Sequence, residues 1–197
     1  LDGSMSIDAK QYSQMISKAR FENYIQEQLL KAYSRLSGFS DAWVSVRSSV
    51  VFPSRPDVSF SGVFGTELNV KGFDNLLEAI KLIYQSVFTD KVIAYAKAHS
   101  LPLSELKMSV VVQKMIQSEV SGVAYTRDPI TNLKDRVTVE AVFGLGDVIS
   151  NGELTPDQYI LNKKDLAIIE KHIAPQDWMK IRRVSPKREN GHFGTEE

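Results

Sequence analysis

The sequence predicts a mixed α+β fold, with helices flanking antiparallel or mixed sheets. Three observations carry this. Apolar residues recur at helical spacing from Ile7 to Leu36 and again from Leu76 to Phe88. Short β-branched runs such as "VSVRSSV" and "VTVEAVF" carry the spacing of strands. Glycine- and proline-marked stretches separate these runs and supply the turns. Of the 197 residues, 43% are apolar and 24% charged, and the formal net charge is zero. That is an ordinary globular balance with no global attraction to nucleic acid or an anionic membrane. The absence of cysteine excludes a disulfide framework and any thiolate metal site, which fits a reducing, cytoplasmic compartment.

The opening "LDGSM", residues 1–5, reads as an expression scar and is set aside. From residue 6 to 40 the pattern is helical. Tyr12, Met15, Ile16 and Ala19 form one apolar stripe; Phe21, Ile25, Leu29, Ala32 and Leu36 form another, slightly out of phase. Two helices or one kinked helix follow from that, with Gly38 as the C-terminal stop. Val44 and Val46 alternate with Ser45 and Arg47 as in a half-buried strand, and Pro53 and Pro56 turn the next segment into loop. "VSFSGVFGTELNV" alternates around Gly62 and Gly65, as a bent or bulged strand pair does. Asp74 is placed to cap the helix through Phe88, and a second helix is expected from Asp90 to about His99. "MSVVVQKMI" is almost wholly apolar and reads as a central strand covered on both faces. Val120–Thr126, Val137–Phe143 and "DQYIL" read as further strands. "TRDPITN" is a turn, and "GLGDVISNG" is a loop with a short helical turn inside it. Beyond Asn162 the chain is polar and reads as a solvated or disordered tail.

Chemistry concentrates at a few positions. Arg47 lies on a strand, and its planar fork of donors suits phosphate oxygens; Ser48 and Ser49 add hydroxyls. A strand-end arginine paired with a surface carboxylate is the plainer reading. Gly62 and Gly65 let backbone approach a ligand closely, and Thr66 can donate to phosphate; a bulged hairpin explains the same residues. Gln113 and Lys114 end an apolar run, where the strand can meet a purine edge or simply leave the core. Glu140, inside a β-branched run, requires a cation or a basic partner. With Asp147 it can help hold Mg²⁺, and pairing with Arg127 or Lys114 competes evenly with that role. The three histidines have no metal-ligand spacing, and no nucleophile–histidine arrangement can be argued.

The order of these motifs says more than any one of them. "VSVRSS", "DVSFSGVFGTELNVKG", "LIYQSVFTDKVIAYAK", "MSVVVQKMI", "SGVAYTRDP" and "VEAVFGLGDVISNGELTPDQYIL" succeed one another from about Ala42 to Leu161. This succession resembles the ATP-grasp nucleotide-binding domain of the phosphoenolpyruvate synthase and pyruvate phosphate dikinase family. The resemblance implies a partial ATP-grasp core over residues 41–163, a helical segment before it, and the polar tail over residues 164–197. It implies ATP and Mg²⁺ as cofactors, and phosphorylation of a carrier histidine on a separate mobile domain that then serves pyruvate. A related acceptor, such as a rifamycin-type antibiotic or a glucan, and a non-catalytic interaction module are the alternatives. By motif, Arg47 corresponds to the arginine on the ATP phosphates, and Gly62 and Thr66 to the loop that closes over them. Gln113 corresponds to the adenine-side glutamine, with Met115 lining that pocket, and Glu140 lies near the metal and phosphates.

Two departures stand out from the resemblance. Arg55 in "VVFPSRP" stands where an acidic loop is usual, and Glu67 stands where an aromatic is common, placing a negative charge near the triphosphate. The lysine-bearing glycine-rich segment, the closing segment, and the phosphohistidine and pyruvate-binding domains have no counterpart in this sequence. These domains of a parent protein are the expected partners, along with a possible homodimer, and the chain alone is expected to be inactive.

Overall fold

The computed structural model describes residues 4–37, 40–55, 58, 62–182, 188–189, 192–193 and 195–196. The chain divides into two compact units, residues 1–115 with 185–194, and residues 116–184 with 195–197.

The first unit opens with two helices, α1 (Ser4–Lys18) and α2 (Asn23–Ser37), as the two out-of-phase stripes require. Gly38, read as the stop, lies outside the described residues. Strands β1 (Trp43–Val51), β2 (Thr66–Lys71) and β3 (Lys107–Lys114) form an antiparallel sheet in the order β2-β1-β3. Helix α3 (Phe73–Gln85) covers one face. Leu76, Ala79, Ile80 and Ile83 follow the i, i+3, i+4, i+7 rule and are fully or nearly fully buried. They meet Val44, Val46 and Val70 in a core edged by Phe21, Leu29, Met108, Val110 and Val112. Each fully buried aliphatic side chain there contributes about 1.5–3 kcal/mol. Tyr33 on α2 stitches this corner, donating its hydroxyl hydrogen to Ala42 O (2.6 Å) and accepting from Gly72 N (3.0 Å).

Two expectations change here, and a third falls partly outside the described residues. The helix N-cap is Gly72, whose φ of 87° turns the chain, and Asp74 sits instead in the first turn, where its charge favours the helix dipole. Of the segment read as a strand pair, the described residues show a turn at residues 62–64 and the strand β2, bulged where its register with β1 shifts between Val44 and Val46; the part before Gly62 falls largely on residues 59–61, outside the described residues. The run "MSVVVQKMI" is not a doubly covered central strand. It forms the edge strand β3, with Val110 and Val112 against the core and Val111 46% exposed, and β1 is central. Helix α4 (Asp90–Ala98) follows a single 3₁₀ turn and is capped by Thr89. A smaller cluster of Phe52, Ala96 and Leu101 packs the loop after β1 onto it.

The second unit is an antiparallel meander, β4 (Val120–Tyr125), β5 (Arg136–Phe143), β6 (Asp157–Asn162) and β7 (Ile168–His172), in chain order. The short helix α5 (Asp147–Asn151) sits inside the glycine-bounded loop and stops at Gly152, whose φ is 67°. The "TRDPITN" turn closes on Asp128, which accepts from the backbone of Ile130 and Thr131. The polar segment beyond Asn162, read as a solvated or disordered tail, is described continuously through Arg182. It makes β7, then Gln176 bonds the end of β5 at Phe143 N and Ala141 O, and Lys180 is buried. Its hold is polar rather than apolar, which is why hydropathy did not register it.

Candidate functional site

The face of the first unit's sheet opposite α3 carries the arginine motif. Residues directly paired across strands share a face. Arg47 pairs with Thr66 on β2 and with Val111 on β3, and Ser45 pairs with Gln113. Thr66, Arg47 and Val111 therefore form one row across the three strands, with Ser45 and Gln113 in the next. Arg47 is exposed, and its Nε donates to Ser45 Oγ at 3.3 Å. Ser45 is itself buried and donates to Gln113 O at 3.4 Å. The Nη groups of Arg47 make no hydrogen bond or ion pair with a described residue. The plainer expectation, a strand-end arginine neutralised by a carboxylate, is thus not what the sheet displays. Exposed donors remain beside Thr66, Ser45 and Gln113, an arrangement suited to an oxyanion.

Gly62 lies in the turn that leads to Thr66 and has φ of 69°. Its carbonyl accepts from Lys91 Nζ at 2.7 Å, and Gly65 N donates to Ser86 Oγ at 3.0 Å. Neither Lys91 nor Ser86 was singled out from the sequence, since a lysine and a serine at a helix junction carry no pattern. Met115 extends the ladder by one residue, its N–H donating to Trp43 O at 2.8 Å.

Glu67, expected to bring negative charge to the phosphates, pairs with Val46 and is buried on the core side of the sheet, opposite to the Thr66 side. Arg55 is also accounted for. Its Nη1 donates to His99 O at 3.3 Å, and neighbouring Ser54 bonds Glu105, so the loop after β1 is held against the segment following α4.

Glu140 belongs to the second unit, on β5 between Val123 and Gln158, and is half-buried. Its proposed structural partner Arg127 donates instead to Asn132 O at 2.9 Å. Asp147, considered as a companion to Glu140, is committed elsewhere. Lys180 Nζ bonds Asp147 Oδ2 at 3.1 Å and Glu153 Oε2 at 2.7 Å. Burial opposes the charge on Lys180, but hydrogen bonds to Glu153 and Asp147 outweigh it and raise its pKa; the bond from Lys180 in turn lowers that of Glu153. Among the described residues no group of three or more His, Asp or Glu side chains is placed to hold a metal ion.

Comparison with known proteins adds the family. The model of the pyruvate phosphate dikinase AMP/ATP-binding domain matches residues 3–195. A probable phosphoenolpyruvate synthase of Methanocaldococcus jannaschii is 33% identical over 177 residues, which is 88% of this chain and 15% of the relative. The phosphoenolpyruvate synthase of Aeropyrum pernix is 36% identical over 157 residues, 78% of this chain and 19% of its own length. That of Aquifex aeolicus is 38% identical over 174 residues, 83% of this chain and 20% of its own. The chain spans about a fifth or less of these larger proteins. With a family match running almost end to end and an arginine row open on an α+β scaffold, this chain belongs to the pyruvate phosphate dikinase AMP/ATP-binding domain family, whose fold is ATP-grasp-like.

Proposed function

We propose that this chain is the ATP-binding portion of a phosphoenolpyruvate synthase-like phosphotransferase, in which ATP and Mg²⁺ phosphorylate a carrier histidine of another domain and, through it, pyruvate. The observation that supports this best is the exposed Arg47 row. An arginine with its Nη donors unengaged by the described residues, beside Thr66, Ser45 and Gln113, can take a phosphate oxygen without first breaking an ion pair. In this reading Arg47 and Thr66 hold phosphate, Gly62 lies in the loop over it, and Gln113 and Met115 serve the adenine side. Glu140, which lies in the second unit and is half-buried, is proposed as a metal-side carboxylate on the motif resemblance alone. Phosphoryl transfer relies on positioning and charge neutralisation, and the acceptor steps belong to the rest of a longer protein.

Calorimetric titration with a non-hydrolysable ATP analogue and Mg²⁺ tests the reading. The native chain should bind, and Arg47→Ala should weaken binding about 10- to 100-fold, the worth of a charge-assisted contact. Equal binding by Arg47→Ala, or no binding by the native chain at about millimolar ligand (roughly −4 kcal/mol), would remove Arg47 from the site.

A further inference from the structure

We propose that Lys91 and Ser86, at the junction of α3 and α4, are positioning residues that aim one backbone donor of the glycine loop, the N–H of Val63, at a bound phosphate. The proposal rests on the nucleotide reading above. The two residues hold a four-residue turn at both ends. Lys91 Nζ donates to the carbonyl of Gly62 at 2.7 Å. In a trans peptide the carbonyl and the following N–H point in opposite directions. Fixing Gly62 C=O toward α4 therefore turns the N–H of Val63 away from α4. That N–H makes no hydrogen bond to a described residue. Gly62 adopts φ of 69°, which a side chain there would resist.

At the other end, Gly65 N donates to Ser86 Oγ at 3.0 Å, and Ser86 Oγ donates to Ile83 O at 2.7 Å. A Cβ on Gly65 would lie 3.0 Å from Ser86 Cβ, so the loop sits directly on the end of α3. The N–H of Gly65 is thereby spent internally, and that of Val63 is left for a ligand. Lys91 is exposed and has no other partner among the described residues. Its ammonium also places a positive charge beside the loop that receives the anion. Hydropathy and motif spacing mark the glycines, and only the hydrogen bonds identify which donor the turn presents.

The test uses the ¹⁵N-labelled native chain with Lys91→Met, Lys91→Arg and Ser86→Ala, titrated with inorganic triphosphate. Unchanged β1 and β3 signals verify the fold of each variant. In the native chain the Val63 amide should shift together with Thr66 and the Arg47 side chain. Lys91→Met and Ser86→Ala should each diminish the Val63 shift and weaken triphosphate binding about three- to tenfold, the worth of one hydrogen bond. Lys91→Arg, which still reaches a carbonyl as a donor, should restore both. Thr66 and Arg47 responding without Val63, or Lys91→Met behaving as the native chain, would overturn the proposal. Silence from every signal, Arg47 included, would instead overturn the nucleotide reading on which it rests.

Discussion

Asp128 is a single carboxylate that organises a turn. Its oxygens accept from Thr131 N (2.6 Å), Thr131 Oγ1 (2.8 Å), Ile130 N (3.0 Å) and Thr138 Oγ1 (3.0 Å). Donation from the Thr131 backbone, then from its hydroxyl, holds the pKa down to about 2. A carboxylate whose pKa is depressed on folding stabilises the fold above its unfolded value, near 3.8, and the contribution is lost as pH falls toward 2. Thermal melts of the native chain should therefore drop between about pH 4 and 2. Asp128→Asn, melted in parallel, should start lower at neutral pH and show a shallower acid loss. Equal acid slopes for the two chains would mean that other carboxylates carry it. The "RDP" text made this turn legible, because aspartate before proline favours an Asx-type reversal. The bond to Thr138, ten residues on, required the β4–β5 pairing to bring the two together.

Among the elements, those with the clearest period were read correctly. Helices α2, α3 and α4 follow from apolar spacing, because a helical stripe is a local property of the chain. Strand β3 shows the limit. A run of valines reports that a strand is apolar, but its place at an edge depends on which strands pair with it. The loop between β5 and α5 shows the same limit at glycine. Gly144 has φ of 74°, and a Cβ there would lie 2.3 Å from Lys180 O, a contact with a residue 36 positions away. Leu145 N donates to that same carbonyl at 2.8 Å. Lys180 thus fixes this loop through its backbone and α5 through its ammonium. Lys180→Met should destabilise the second unit by about 1–3 kcal/mol, less than for a fully buried ion pair because Asp147 and Glu153 are partly exposed. Urea titration followed by β5 amide signals measures this. A change below about 0.5 kcal/mol, the usual range for a surface substitution, would show the network to be an ordinary surface pair.

For the molecule as a whole, apolar side chains left in water invite association. Ile130 is 83% exposed and Ile116 78%, with Leu166, Ile168 and Ile173 also open. The chain is predicted to self-associate, so sedimentation velocity should show the sedimentation coefficient rising with concentration; a coefficient independent of concentration would refute this. The family's order of motifs was readable without coordinates, because each motif is contiguous and keeps its residue types in place. So were the helices, most strands and Arg47 as the residue to examine. The tertiary structure decided what those residues face. It put Glu67 on the core side of the sheet, left the Nη donors of Arg47 open among the described residues, committed Asp147 to Lys180 and tied the glycine loop to Ser86 and Lys91. Each of those outcomes depends on strand register or on partners far apart in the chain. Local sequence encodes periodicity and turn chemistry, whereas register and distant pairing are fixed only when the core closes.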